Sequence, residues 1–223
     1  MTMCPRDRLL GAIRGEKVDR VPLVLPGFQV ESEEQIEQFD QPYRREIARR
    51  IWQHTTFPVG ISSADNRYLR IASGRISQEE TTIDDGNIRI DGVIDTPKGE
   101  LTFKKERDPS VGTTWTVEYP CETLEDIKKI ASIPDEIPEW LAPPELDDLP
   151  DKFEERGIIR SGVSCPMVSV AGMMRYQRFL ELCQVEPDLI DELTEICRRR
   201  ALKALEVIFS GPGLEYIWMG GSE

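Results

Sequence analysis

Two hydrophobic periods share this chain. After Pro5, Leu9, Leu10 and Ile13 recur at helical spacing and Gly15 stops them, which predicts a helix over Pro5–Arg14. Val21 to Leu25 is a short apolar run among prolines. Its near-continuous hydrophobicity predicts a strand buried on both faces, as in a parallel sheet. Ser32 opens Ser-Glu-Glu-Gln, a capping-box pattern for a short helix. Beyond Pro42, Ile47, Ala48, Ile51 and Trp52 mark the buried face of the next helix. "FPVGISSAD" then reads as a second strand with polar residues at its carboxyl end.

Residues 75–120 change period. "NIRIDGVID", "GELTFKKER" and "TTWTVEYP" are alternating or β-branched, and "TPKG" is turn chemistry, so an antiparallel excursion is expected there. Thr123, with Asp126 three residues on, predicts a capped helix to Ser132. The stretch rich in proline and acid from Ile133 to Phe153 reads as a surface connection leading into a helix that ends near Gly157. "GIIRSGVSCPMVSVAGMM" holds a third strand, and two helices follow. The second, Pro187 to about Ser210, puts Leu189, Ile190, Leu193, Ile196, Cys197, Ala204, Leu205 and Ile208 on one face. "GLEYIWMGGSE" supplies a fourth strand. Repeated βα units of this kind make an open doubly wound sheet or a closed barrel. Residues 1–223 are expected to form a single domain.

Charge narrows the partners. The formal net charge of −13 disfavours phosphate backbones and anionic lipid surfaces. No apolar run approaches the roughly 20 residues of a membrane span, and the first twenty residues carry charges throughout, so a cytoplasmic protein is expected. The five cysteines are scattered without a CxxC, which suits free thiols in a reducing compartment. With one histidine and no HxC or HExxH, a complete zinc site within the chain is not expected.

Several stretches together resemble the uroporphyrinogen decarboxylase superfamily. "RDRLLGAIRGEKVDRVPLVL" looks like its first helix, glycine turn and first strand. "DTPKGELTF…TTWTVEYPCETLEDIKKIASIP" is similar to the hairpin region of its methyltransferase-like branch, and the stretch from Gly162 to the end resembles its third strand, two helices and fourth strand. The resemblance implies a (β/α)8 TIM barrel, here about the first four βα units with an antiparallel hairpin insertion, and hence an amino-terminal half. It also implies methyl transfer between a corrinoid, normally carried on a separate protein, and a thiol or folate-type acceptor. The zinc ligands would lie in the second half. Uroporphyrinogen decarboxylation is the alternative, and a non-catalytic binding fragment is the reading from a different class; a homo-oligomer is a further expectation.

In such barrels the small-molecule site lies at the carboxyl ends of the strands. The resemblance puts a catalytic aspartate at Asp65 and a substrate-contacting serine at Ser222. Gln29 and Cys165 follow other strand ends, Arg67 shares that of Asp65, and all three are candidate substrate contacts. The arginine pair expected after the first strand is missing, because "LPGFQVE" stands there, and Gly172 falls where a tyrosine is expected. Loss of the arginines disfavours a polycarboxylate substrate, since charge-assisted hydrogen bonds contribute about 1.5–3 kcal/mol each. Each candidate has a plainer alternative. Asp65 could cap the segment after it, Arg67 could be a solvated helix residue and Cys165 a small buried thiol. His54 suits a helix end, and Trp218, Met219, Met167, Met173 and Met174 suit a core.

Overall fold

The computed structural model describes residues 3–25, 28, 30, 32–60, 69–83, 86–109, 113–136, 153–210 and 214–220. Its elements in chain order are α1 (Pro5–Ile13), α2 (Glu33–Glu37), α3 (Pro42–Ile51), β1 (Phe57–Gly60), β2 (Ile76–Thr82), β3 (Ile88–Ile94), β4 (Leu101–Asp108), β5 (Thr113–Glu118), α4 (Leu124–Ala131), α5 (Phe153–Arg156), β6 (Gly157–Ser164), α6 (Pro166–Ala171), α7 (Tyr176–Val185), α8 (Pro187–Phe209) and β7 (Tyr216–Gly220). The chain divides into two compact units. One holds Met1–Ser62, Pro143–Ser161 and Gly211–Trp218, and the other Ser63–Ala142, Gly162–Ser210 and Met219–Glu223.

The first unit is built on a three-stranded sheet of order β1-β6-β7. β1 and β6 run parallel, from Phe57 opposite Gly157 to Gly60 opposite Arg160. Glu215 extends the β6–β7 contact, its N–H donating to Ile159 O at 3.0 Å while its Oε2 accepts from Ile159 N–H at 2.9 Å. Arg6 on α1 pairs with the same carboxylate. The strand expected at Val21–Leu25 shrinks to one parallel bridge between Leu23 and Thr55, because Pro22 and Pro26 have no N–H to give a ladder. Val30, Ile36, Ala48 and Trp52 form a small core. Trp52 donates its indole N–H to Glu33 Oε1 at 2.9 Å, and Ser32 makes no side-chain cap bond. The expected capping box of Ser32 with Gln35 is therefore absent, and Ser32 begins α2 without a side-chain bond.

Two arginines are buried in this unit. Arg156 lies with its guanidinium 3.4 Å from the Trp52 ring centroid and donates to Thr55 O and Thr55 Oγ1, each at 3.2 Å. Burial pulls its pKa down to about 10. Arg8 grips Asp19 with two bonds, Nε to Oδ1 at 2.6 Å and Nη2 to Oδ2 at 3.0 Å. That grip, with the Met3 N–H, holds the Asp19 carboxyl well below the usual carboxylate range. A depressed folded pKa contributes stability above the ordinary value of 3.8, and the contribution fades as pH falls through and below that value. Asp19→Asn should therefore flatten the acid limb of stability. Thermal melts from about pH 5 down to pH 2 would read this as a shallower slope for the variant; parallel slopes would remove Asp19 from acid unfolding.

The second unit is built on an antiparallel meander of order β2-β3-β4-β5. β3 and β4 pair from Ile88 opposite Arg107 to Ile94 opposite Leu101. The turn between them closes as read from "TPKG": Gly99 N–H bonds Thr96 O at 3.0 Å, Thr96 Oγ1 bonds Gly99 O at 2.6 Å, and Gly99 takes φ +109°, which suits glycine. One face of the sheet is apolar, with Ile90, Ile94, Leu101 and Phe103 buried. Ile94, Leu101 and Phe103 share a core with Ile127 and Ile130 of α4, Leu182 of α7, and Leu193 and Cys197 of α8. Thr123 and Asp126 make the reciprocal capping box at the start of α4. At the outer edge, β5 departs from regular pairing between Lys104 and Lys105 of its neighbour, and Arg175 donates to Val117 O at 3.2 Å. Both features blunt an edge that would otherwise accept another strand.

This architecture corrects the expected (β/α)8 barrel and its four successive βα units. The structure is mixed α/β, and most of its strands are antiparallel. The next described strands after β1 are those of the meander, where short connections pair β2 to β5 locally and satisfy their backbone groups without helices. The excursion expected over residues 75–120 is present, with one more strand than the pattern showed. β2 was not legible because it is almost wholly exposed and polar.

Candidate functional site

Of the candidate residues, Cys165 is the one the structure describes. Gln29, Asp65, Arg67 and Ser222 lie outside the described residues, so the proposed cluster is not assembled from observed geometry. Cys165 follows β6 directly and is the N-cap residue of α6, half-buried, with extended backbone and no side-chain cap bond. Its carbonyl accepts from Val168 N–H and Ser169 N–H at 3.0 and 3.2 Å, and Pro166 begins the helix where its missing N–H costs nothing. Among the described residues no base is hydrogen-bonded to the Cys165 thiol. Cys165 thus stands at the carboxyl end of β6, at the start of α6.

The other thiols separate by burial. Cys121 and Cys197 are buried, and burial pushes both thiols up, Cys197 to about 11. Cys4, Cys165 and Cys183 are half-buried. At pH 8 a thiol alkylating agent should modify these three in the native protein and reach Cys121 and Cys197 only on unfolding. Mass spectrometry of timed samples checks this, and early labelling of Cys197 would contradict the core described above.

Remaining sequence expectations divide. Met173 and Met174 are buried in the core, as a packing role requires, whereas Met167 is exposed. Trp218 and Met219 were expected in a core and are instead 55% and 68% exposed. β7 is the end strand of its sheet, and adjacent residues on a strand face opposite sides. His54 lies in a short 3-10 turn, with Arg20 Nη2 3.0 Å from its Nδ1.

The best-built polar cluster is one the sequence reading missed. Arg200 of α8, 4% exposed, donates to Leu69 O at 2.9 Å, Ile133 O at 2.6 Å and Asp135 Oδ1 at 3.0 Å. Arg199 donates to Asp135 Oδ2 at 3.0 Å. Burial alone would raise the Asp135 carboxyl, but the two arginines outweigh it and leave it below its ordinary value. Leu69 and Arg70, both buried, take φ of +52° and +56°, a conformation that non-glycine residues adopt at a cost of about 1–3 kcal/mol each. Arg200 holds the first of them by its carbonyl. A signal existed in the sequence: Arg200 continues the stripe Leu193, Ile196, Cys197, Ala204 at helical spacing. This cluster is satisfied internally, so its chemistry is structural.

The meander carries two concavities. One of 410 Å³ is lined by Glu100, Glu118, Tyr119, Glu122 and Lys129 among others, and one of 520 Å³ lies on its outward face. Among the described residues no three His, Cys, Asp or Glu side chains are grouped to hold a metal ion. No described helix is long and apolar enough to cross a membrane. Comparisons with protein-family models, curated proteins and solved structures found no match to this chain.

Proposed function

We propose that the chain is part of an enzyme related to the uroporphyrinogen decarboxylase superfamily, which moves a methyl group between a corrinoid and a thiol or folate-type acceptor. Support comes from the order of its sequence segments, and one structural observation carries it. β1 and β6 are parallel neighbours, so their carboxyl ends leave the same edge of one sheet. Ligands of parallel sheets bind beyond such ends. The sequence after β1 contains Asp65 and Arg67, and the sequence after β6 begins with Cys165. Asp65 would act on the substrate, with Arg67, Gln29, Cys165 and Ser222 as contacts. A corrinoid-carrying protein would be the partner.

Decarboxylation of uroporphyrinogen is the second reading. It is disfavoured because Leu25–Glu31 contains no arginine to neutralise substrate carboxylates. The test is to incubate the protein with methylcob(III)alamin and, in turn, a thiol and tetrahydrofolate. Loss of the methylcobalamin absorbance should be matched by methylated acceptor in the mass spectrum. No transfer to either acceptor, together with carbon dioxide release from uroporphyrinogen, would establish the second reading instead. Neither reaction would leave a binding role.

A further inference from the structure

Among the described residues no element packs on the outward face of the meander, which carries an ordered charge pattern. Register places Glu79 opposite Asp91, Asp91 opposite Lys104 and Lys104 opposite Glu118. The next row runs Thr81, Arg89, Glu106, Trp115. Both cations are engaged: Lys104 Nζ is 2.7 Å from Glu118 Oε1, and Arg89 Nη2 is 3.7 Å from Glu106 Oε1. Glu79 and Asp91 remain, both exposed and directly opposite, with no cation of the described residues in ion-pair reach. Like charges so placed repel. On their other side Ser77, Val93 and Thr102 form a row of short side chains. There the face dips into the 520 Å³ groove, whose lining includes Glu79, Asp91 and Val93. Trp115, 50% exposed, stands one row away as a flat apolar surface.

We propose that this sheet face docks a basic segment of a partner protein, with arginine or lysine heads bridging Glu79 and Asp91. Charge complementarity selects that occupant. A cation between the two carboxylates relieves their repulsion, and its aliphatic stem has Val93 to lie along. Arginine also stacks on tryptophan faces such as that of Trp115. Phosphate-bearing and anionic lipid partners meet the same two carboxylates as repulsion. The surface is independent of the proposed methyl transfer.

The test uses an extended peptide alternating arginine and threonine, with its glutamate counterpart as control. The arginine peptide should bind in titration calorimetry, and added salt should weaken it. Glu79→Gln with Asp91→Asn should reduce affinity about tenfold, the size expected of two partly exposed charge pairs. A control double variant on α8, Glu192→Gln with Glu206→Gln, makes the same change in net charge and should stay within about twofold of the parent. Equal losses in the two double variants would mean unspecific attraction to an acidic protein and would overturn the proposal. So would unchanged affinity in the first. Val93→Arg, which puts a cation into the groove itself, should also abolish binding while the thermal midpoint holds.

Discussion

Arg200→Met should lower stability by about 3–5 kcal/mol, the cost of breaking a buried charge cluster by removing one member. Methionine fills much of the volume but supplies none of the three donors. The carbonyls of Leu69 and Ile133 would be left buried without their guanidinium partner, and each such loss costs about 1–3 kcal/mol. Asp135 would keep Arg199 and, at 4.0 Å, Lys203, so the carboxylate is the part least harmed. Leu69 would also lose the bond that holds its left-handed backbone. Arg200→Lys should recover little, because one ammonium head cannot reach three acceptors laid out for a planar guanidinium. Urea denaturation measures both variants. A methionine variant as stable as the parent would show that the cluster serves some end other than stability.

Gly92→Ala should also lower stability. A β-carbon at that position would lie 2.1 Å from Cζ of Phe103 and 2.4 and 2.5 Å from the two Cε atoms. Gly92 and Phe103 are register partners, and the tip of the ring occupies the space beside the glycine within the core, 2% exposed. One of them must move. Overpacking of this kind costs about 1–3 kcal/mol, occasionally more. Phe103→Ala alone should cost about 3–5 kcal/mol through the cavity it opens. The double variant should cost less than the sum, because the alanine at 92 then has room. Strictly additive denaturation midpoints would mean that the ring does not rest on Gly92.

What the sequence revealed of this fold was what its local patterns could encode. The α8 stripe, the Thr123–Asp126 cap and the Thr96–Gly99 turn are each settled by residues within a few positions of one another, and all three are present. The failures came where a distant residue decided. Ser32 and Gln35 have capping-box spacing, but Ser32 makes no cap bond, and the neighbouring Glu33 accepts from the indole of the distant Trp52. β2 lacks an apolar alternation because its partner strand, not its own side chains, makes it a strand. The barrel is what the family resemblance implies, but local pairing takes most strand residues into an antiparallel sheet. Of the candidate site, Cys165 was legible as a strand-end residue. Arg200 was overlooked because an arginine on an apolar stripe reads as surface until its three acceptors, far off in the chain, are seen.

That distance also sets an order of events during synthesis. β2 to β5 are joined by short turns and can pair as soon as Glu118 has been made. The Arg200 clamp joins residues 131 positions apart in the chain, and closing so long a loop is slow relative to hairpin formation. A nascent chain would therefore hold a paired meander whose apolar face waits for α8 to arrive and lock it. During refolding, pulse hydrogen exchange should protect the Ile90 and Phe103 amides first, and those of Ile71 and Cys197 later.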